Sequence, residues 1–374
     1  MPRPPERRST HAIKMAIDST PLPRILFFTI NGAGLGHLSR CLAYARRMQG
    51  RAQPVFFSLA SAIEIIHDMG FEADYFVCPS SSRSHINAWN RESAVRFGLM
   101  LEEVRPAVAV FDGTWPFQGF MDACDAYGVP RRVWSNRLLH KPGVGPVPVE
   151  ASAFDLVIEP GELGAEFAVE RAETPGRKVT TAPVLLLADG ELLSRDDARE
   201  ALRLEPEGRY ALFSLGAGNL NDIGDIARGL IAEVGRHGLR AVWARVPITV
   251  RDVPLPDHVL PISAFPLARF MRAFDVFVGA SGYNTSYEVL QSGVPSLLVP
   301  NTRSADDQAR RAELIARQAP VIVSTCETRE AQAEAIRRLL SLSGGANDPT
   351  PAGLEGAEQA ADEILALAGR EAAG

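Results

Sequence analysis

The amino-acid sequence predicts an α/β protein made of two doubly wound parallel-sheet domains that face a cleft. Short apolar segments alternate with helical stretches from Arg24 onward, as in a parallel sheet with crossover helices. Glycine and proline separate these segments, and the same alternation begins again near residue 210. The 374 residues are also enough for two domains with separate cores.

In the first half, short apolar runs are the predicted strands, and the stretches between them are the predicted helices. The strands are Ile25–Ile30, Val55–Leu59, Tyr75–Cys78, Ala107–Phe111, Arg132–Trp134 and Leu156–Ile158. The helices are Leu38–Gln49, Ser61–Met69, Asn90–Val104 and Gln118–Tyr127. Residues 1–22 are rich in Pro and Arg and have no apolar core of a secretory signal, so we expect a disordered tail there.

The second half repeats this architecture without repeating the sequence. Its predicted strands are Tyr210–Ser214, Ala241–Ala244, Val259–Pro261, Asp275–Val278, Ser296–Val299 and Val321–Val323. Helices are expected after Ser194, which with Asp197 resembles a capped helix start, and over Asp222–His237. We therefore expect Rossmann-like domains at 23–185 and 186–343, then a linker and a final helix Ala357–Leu367 within 344–374.

Composition and charge exclude several classes of protein. The net charge is −6 and no long basic run occurs, which argues against nucleic-acid binding. No apolar run approaches the ~20 residues of a membrane-spanning helix, although peripheral membrane contact stays open. The four scattered cysteines form no CxxC pair, so neither a disulfide framework nor a zinc site is expected, and a cytoplasmic location fits. The oligomeric state is not visible in the sequence.

The loop after the first strand, Asn31–His37, is rich in glycine. Gly34 and Gly36 let the backbone pass close to a ligand and expose a helix N-terminus that favours anions. A dinucleotide-binding turn is the competing interpretation, but it needs GxGxxG and an acid ending the second strand. The spacing here is GxGxG, and the second strand ends in Leu59-Ala-Ser, so NAD is not expected.

Two polar residues are expected at the carboxyl edge of the first sheet. His37 follows the first strand and has the near-neutral pKa of a general base. Asp112 follows the strand Ala107–Phe111 and can orient the imidazole as in a His–Asp dyad. The alternatives are a helix-capping role for His37 and a turn role for Asp112 before Gly113.

The second half contains two further glycine-rich turns. Gly216 and Gly218 follow one strand, and Ser281-Gly282 follows another, before a helix expected to begin near Thr285. Thr285 and Glu288 have the spacing of a capping box. The same helix N-terminus can bind a diphosphate, and Glu288 can accept hydrogen bonds from ribose hydroxyls, so capping and binding are both compatible with the pattern.

These motifs resemble those of nucleotide-sugar glycosyltransferases with the two-domain GT-B fold, which include plant and antibiotic enzymes and the bacterial peptidoglycan N-acetylglucosaminyltransferase. The first motif is the Gly34-Leu-Gly36-His37 loop. The second runs Gly282-Tyr-Asn-Thr-x-x-Glu288, Gly293-Val-Pro295, Pro300 and Asp307-Gln308. Both occur in the family's order and in the expected halves, and the resemblance covers about residues 24–340.

The resemblance implies a role for each matching residue. His37 would deprotonate the acceptor hydroxyl with Asp112 as its partner, and Glu288 would hold the ribose. Asp307 and Gln308 would bond the transferred sugar, and Phe265 would lie near the nucleobase. The residues facing the diphosphate would be Ser281, Gly282, Asn284 and Thr285, helped by Gly216 and Gly218.

Departures from the family pattern weaken some of these roles. Ala280 stands where plant members have a histidine. The Asp307-Gln308 pair lies a few residues further from Glu288 than in the plant pattern, nearer the spacing of the bacterial enzyme, which has Gln in place of Asp307. No Asp-x-Asp tripeptide occurs, so no metal site is expected, and helix N-termini would stabilise the leaving diphosphate.

The sequence therefore predicts an inverting, metal-independent glycosyltransferase that needs no cofactor beyond its donor. It would move a sugar from a UDP-sugar, with dTDP as second choice, to a small-molecule or lipid-linked acceptor of natural-product or cell-wall type. A nucleotide-sugar hydrolase on the same scaffold and a non-catalytic nucleotide-sugar-binding protein are the alternatives. A nucleotide-sugar epimerase shares the fold, but its expected carboxylate pattern is missing from the sequence.

Overall fold

The structure of the chain is a computed structural model. It describes residues 21–30, 34–136, 153–163, 177–216, 223–245, 254–301, 306–342 and 353–369. Nearly all of the expected N-terminal tail, most of the expected linker 344–356, and Gly218 lie outside these residues.

The first domain is a parallel sheet flanked by helices on both faces. Its strands are β1 (Arg24–Thr29), β2 (Gln53–Ser58), β3 (Glu72–Tyr75), β4 (Val108–Asp112), β5 (Arg132–Ser135), β6 (Leu156–Glu159) and β7 (Arg177–Thr180). Their spatial order is β3-β2-β1-β4-β5-β6-β7. The helices are α1 (Gly36–Arg47), α2 (Glu64–Asp68), α3 (Ile86–Val104) and α4 (Gln118–Ala126).

The second domain repeats this topology. Its strands are β8 (Tyr210–Ser214), β9 (Arg240–Ala244), β10 (Leu260–Ile262), β11 (Val276–Ala280), β12 (Ser296–Val299) and β13 (Val321–Val323), in the order β10-β9-β8-β11-β12-β13. Its helices are α5 (Arg195–Leu202), α6 (Gly224–Arg236), α7 (Tyr283–Ser292), α8 (Gln308–Ala316) and α9 (Arg329–Leu342). The expected two-domain α/β class is confirmed.

The central strands are buried on both faces, as the continuous apolar runs predict. In β1, Ile25 and Phe27 join one hydrophobic cluster, whereas Leu26 and Phe28 join another on the opposite face. Phe28 alone contacts five phenylalanine rings, with centroid distances of 5.0 to 6.3 Å. This packing fixes the position of β1, and hence of the loop that follows it.

Strand order reverses at one point in each sheet. In the first sheet the chain starts at β1, builds outward through β2 and β3, and then returns to β4 on the other side of β1. In the second sheet the reversal lies between β8 and β11. Ligands of such sheets bind outside the carboxyl ends of the strands at these points. His37 and Asp112 lie at the first reversal, and Gly216 and Ser281 lie at the second.

The structure corrects three local predictions. Helix α7 begins at Tyr283 with Gly282 as its N-cap, not near Thr285, so the predicted Thr285–Glu288 capping box is wrong. Strand β3 ends at Tyr75, where it was predicted to begin. Strand β7 was not predicted, because an edge strand whose residues are mostly exposed carries no apolar pattern.

The final helix, α10 (Gly356–Ala368), confirms the predicted helix and packs on α1 of the first domain. Gln359 accepts a hydrogen bond of 2.7 Å from the Ala182 backbone, and Asp362 pairs with Arg51 at 2.6 Å. A Cβ added to Gly356 would lie 1.8 Å from the Ala182 carbonyl oxygen, so only glycine permits this close approach. The chain therefore returns from the second domain to the first.

Candidate active site

A histidine and an aspartate meet at the strand reversal of the first sheet. His37 is the second residue of α1, and Asp112 is the last residue of β4. The His37 Nδ1 lies 2.6 Å from Asp112 Oδ1. Asp112 is fully buried, whereas His37 is 9% exposed and so stays partly accessible to solvent. The structure thus brings the two residues together, although the sequence places them 75 positions apart.

Arg40, for which the sequence motifs predicted no role, completes this cluster. Its Nε donates to Asp112 Oδ2 and its Nη2 donates to Asp112 Oδ1, both at 2.6 Å. Burial opposes ionisation of Asp112, but the Arg40 charge and the His37 hydrogen bond hold the pKa of this carboxyl well below its usual range. Asp112 is therefore a carboxylate at neutral pH. Arg40 could have been found from its i+3 spacing to His37, which places both on one helix face.

The distances around His37 decide which ring nitrogen carries the proton. Nδ1 lies 2.6 Å from the carboxylate of Asp112 but 3.2 Å from Arg40 Nη2. A contact as short as 2.6 Å between a nitrogen and an ionised oxygen needs a proton between them. We therefore assign the proton to Nδ1, which makes Nε2 the basic nitrogen of the ring.

The N-terminus of α7 is suited to an anion. Its N-cap, Gly282, has no side chain, and the first turn contains no acidic residue. The backbone N–H groups of Tyr283, Asn284 and Thr285 precede the first intrahelical bond, which Ser286 donates to Gly282 at 3.0 Å. A Cβ placed on Gly282, Gly34 or Gly36 would meet nothing within 4 Å, so open space lies before both α7 and α1.

The other predicted donor-site residues lie at the carboxyl edge of the second sheet. Gly216 follows β8 with a φ of 98°, a conformation that favours glycine. Ser281 follows β11 and is fully buried, and its hydroxyl donates to the Gln308 carbonyl at 3.0 Å. Phe265 follows β10 and is half-buried against the core. Asn284 has a buried side-chain oxygen without a hydrogen-bond partner among the described residues.

The Asp307–Gln308 pair has internal partners. Asp307 is the N-cap of α8, and its side chain accepts a 3.1 Å bond from the Arg310 backbone. Gln308 is 4% exposed, accepts a bond of 3.0 Å from the Asn301 backbone and donates to Asp306 at 3.3 Å. These contacts join Asn301, just beyond the end of β12, and Asp306 to the start of α8. The predicted bonds of this pair to a sugar stay a prediction.

Glu288 lies on α7 and is half-buried. Burial raises the pKa of its carboxyl to about 7. Among the described residues, no hydrogen bond is made to this carboxylate. A buried acid without such a bond costs folding free energy when it ionises, so a ligand with hydroxyl donors, such as a ribose, would recover that cost.

We expect Glu288→Gln to stabilise the free protein at high pH. The folded-state pKa of about 7 lies above the ordinary value of 4.5, so the stability of the wild type falls as pH rises from 4.5 through 7. At pH 8 the variant should gain on the order of 2 kcal/mol, given the partial exposure of the side chain, and at pH 4.5 almost nothing. Urea unfolding at both pH values measures this, with exposed Glu92→Gln on α3 as the control. An equal change at both pH values would contradict it.

A network of contacts joins α7 to the first domain. The Tyr283 hydroxyl donates to the Gly161 carbonyl at 2.8 Å and accepts from the Val184 backbone at 3.0 Å. The Tyr287 hydroxyl accepts a 2.6 Å bond from the Leu163 backbone. These two tyrosines fix the helix that carries the candidate donor site relative to the sheet that carries His37.

A buried ion cluster lies behind this contact. Arg311 of α8 is fully buried, and its Nε donates to Glu162 at 2.6 Å. Its Nη2 donates to Asp306 at 2.8 Å and its Nη1 to the Ser281 carbonyl at 3.3 Å. No sequence pattern indicates this cluster, because Glu162 and Arg311 lie 149 positions apart.

The described residues contain no group of three or more His, Cys, Asp or Glu side chains placed to hold a metal ion. No helix in the described part of the chain is both long and apolar enough to cross a membrane.

Solved structures share this architecture over nearly the whole chain. A spinosyn forosaminyltransferase is 15% identical, covers 92% of this chain and 94% of its own, and superposes with a TM-score of 0.61. A calicheamicin glycosyltransferase is 17% identical, with coverage of 94% and 100% and a TM-score of 0.58. The chain has the GT-B fold.

The fold by itself does not select the chemistry. UDP-GlcNAc 2-epimerase from Neisseria meningitidis, solved with UDP-GlcNAc, is 12% identical, covers 92% of this chain and 100% of its own, and also has a TM-score of 0.61. No protein-family model matches the chain, and no curated protein matches it either. The activity must therefore be argued from the site.

Proposed function

We propose that this GT-B protein is an inverting glycosyltransferase that moves a sugar from a nucleoside diphosphate to an acceptor hydroxyl without a metal ion. The observation that carries the proposal is the 2.6 Å contact between His37 Nδ1 and a buried, ionised Asp112. It leaves Nε2 as the basic nitrogen of a histidine that is partly accessible to solvent. The fold is shared with a spinosyn forosaminyltransferase and a calicheamicin glycosyltransferase, which supports the same class of reaction.

The donor would bind to the second domain. Its diphosphate would lie before the N-terminus of α7, where the N–H groups of Asn284 and Thr285 and the positive end of the helix dipole face open space. Gly216 would approach the same phosphates from β8, and Glu288, one turn further along α7, would accept bonds from the ribose. Phe265, at the end of β10, is the proposed contact for the base, and UDP is preferred over dTDP.

The transfer is a single in-line displacement. His37 Nε2 takes the proton of the acceptor hydroxyl as the acceptor oxygen bonds to the anomeric carbon, while Asp112 stabilises the imidazolium. The carbon–oxygen bond to the diphosphate breaks on the opposite face, and its electron pair leaves with the diphosphate oxygen. The products are a glycoside of inverted configuration and a nucleoside diphosphate, and His37 returns the proton to solvent.

The proposal is tested by nucleoside diphosphate release from UDP- and dTDP-sugars, with and without candidate acceptors such as hydroxylated aglycones and lipid-linked saccharides. Release that needs an acceptor supports transfer, whereas equal release in water alone supports the hydrolase, for which water takes the place of the acceptor. Binding without any release supports a non-catalytic nucleotide-sugar-binding protein. No binding at all would overturn the assignment, and loss of turnover in EDTA would contradict the metal-free mechanism.

A charge change at the α7 N-terminus tests the diphosphate site directly. Asn284→Asp places an isosteric negative charge at the second residue of α7, where it opposes a bound diphosphate. We expect the affinity for UDP or dTDP to fall at least about tenfold by calorimetry. Asn87→Asp makes the same change at the second residue of α3, which is exposed and far along the chain from the site, and should leave the affinity unchanged. If the two variants bound UDP or dTDP with equal affinity, the N-terminus of α7 would not be the diphosphate site.

A further inference from the structure

We propose that Arg40 is a positioning residue for the transfer reaction. It holds the His37–Asp112 pair in a fixed position relative to α7, the proposed donor helix. The inference rests on the proposed function. The guanidinium of Arg40 contacts both the His37–Asp112 pair and the first residue of α7. It bonds to both oxygens of Asp112, lies 3.2 Å from His37 Nδ1, and places its central carbon 5.8 Å from the centre of the Tyr283 ring.

The contact of Arg40 with Asp112 fixes the orientation of the carboxylate. With both oxygens bonded at 2.6 Å, the Asp112 carboxylate cannot rotate without breaking a charged hydrogen bond. Its Oδ1 is also the atom that faces His37, so the plane of the carboxylate sets the direction of the imidazole. Only arginine presents two N–H groups in the planar fork that this arrangement requires, and lysine cannot reproduce it.

The contact of Arg40 with Tyr283 sets the distance between the His37–Asp112 pair and α7, the proposed donor helix. Tyr283 is the first residue of α7, and its hydroxyl is held by two backbone groups. The guanidinium of Arg311 also lies 5.8 Å from the centre of this ring. Tyr283 therefore links an arginine beside the base to an arginine beside the Ser281 loop. Because displacement needs the acceptor oxygen in line with the breaking bond, a shift of α7 against His37 lowers the rate of the chemical step.

The charge of Arg40 also acts on the base. Asp112 is already paired with Arg40, so it stabilises the imidazolium of His37 less than a carboxylate without such a partner would. Within the described part of the chain, the other ionisable groups around the cluster are Cys41 and Tyr44 of α1 and Tyr283 of α7. Burial raises the pKa of each of these three, so they stay neutral over the range of an activity assay. Replacing Arg40 by a neutral residue therefore makes His37 easier to protonate.

Two variants separate geometry from charge. Arg40→Lys keeps the charge and loses the fork, and we expect kcat to fall at least about tenfold while the donor KM and the Kd for UDP or dTDP stay within about twofold. Arg40→Gln removes the charge, and we expect the acidic limb of the pH–rate profile to move up by about one pH unit. Arg46→Lys is the matched control, because Arg46 lies on the same helix but pairs with Glu191 and the Leu186 carbonyl.

The outcomes distinguish this inference from the proposed function. If the wild type releases no nucleoside diphosphate from any donor, the proposed function fails and this role of Arg40 fails with it. If the wild type turns over and Arg40→Lys keeps its kcat, or loses kcat and nucleotide affinity together, the positioning role alone is overturned. Circular dichroism checks the fold of each variant. If Arg40→Gln does not fold, the positioning role is tested by Arg40→Lys alone, in which kcat should fall while the donor KM stays unchanged.

Discussion

His37→Ala is expected to lower kcat by about 10²- to 10⁴-fold, the range that a positioned general base contributes. Affinity for the nucleoside diphosphate should stay within about twofold of the wild type, because His37 lies on the first sheet and the proposed diphosphate site is on α7. Initial rates with saturating donor and acceptor measure the first effect, and calorimetry with UDP or dTDP measures the second.

The control for this variant is His67→Ala. His67 is an exposed histidine of the same domain, on α2, and its ring contacts only a backbone carbonyl among the described residues, that of Phe71. It should keep full turnover. If His37→Ala turned over as fast as the wild type, His37 would not be the general base, and the proposal for the donor site would be unaffected. A joint loss of turnover and of nucleotide affinity would instead indicate that α1 is displaced.

The pairing of His37 with Asp112 could be predicted because it follows from topology. His37 begins the helix that follows β1, Asp112 ends the adjacent strand β4, and the carboxyl ends of adjacent parallel strands meet at one edge of the sheet. The residue types then limit the chemistry to a few possibilities. The strand positions were equally readable, since β1, β4, β8 and β11 are continuous apolar runs that can only be central strands.

The remaining parts of the site depend on contacts that no local pattern encodes. Glu162 follows β6 in an irregular segment, and its partner Arg311 lies 149 positions later. The adjacent pair Arg310-Arg311 is typical of a solvated helix face, yet Arg311 is fully buried. The start of α7 at Gly282 could not be predicted for a different reason. A capping box and a bare glycine N-cap are both compatible with this sequence, and the contact of Tyr283 with the first domain selects the earlier start.

Arg311→Met is expected to destabilise the protein by about 3 to 5 kcal/mol, the cost of breaking a buried ion pair on one side. Arg311 is fully buried, and its side chain contacts two carboxylates, Glu162 and Asp306. Burial opposes its ionisation, but these carboxylates hold the pKa of the guanidinium above its usual range, so the cluster is ionic. Methionine keeps an unbranched apolar side chain and removes the guanidinium, leaving both carboxylates without this cation.

Urea unfolding measures this effect, and the adjacent Arg310→Met is the control. Arg310 is 29% exposed and pairs with Glu313 at 3.4 Å on the surface, so its loss should cost less than about 1 kcal/mol. Adding Glu162→Gln to Arg311→Met should recover part of the loss, with a coupling on the order of 2 kcal/mol, because the second change removes one of the two carboxylate charges that faced Arg311. Equal effects of Arg311→Met and Arg310→Met would contradict a buried ion pair at this position.

The same variant links stability to the candidate site. Arg311 also donates to the Ser281 carbonyl, directly before the Gly282 N-cap, and Glu162 follows the carbonyl that accepts the Tyr283 hydroxyl. Loss of the cation should therefore loosen the loop on which the diphosphate is proposed to lie. We expect Arg311→Met to weaken UDP or dTDP binding at temperatures at which the variant is still folded. Destabilisation with unchanged nucleotide affinity would mean that the cluster holds the domains together without shaping the donor loop.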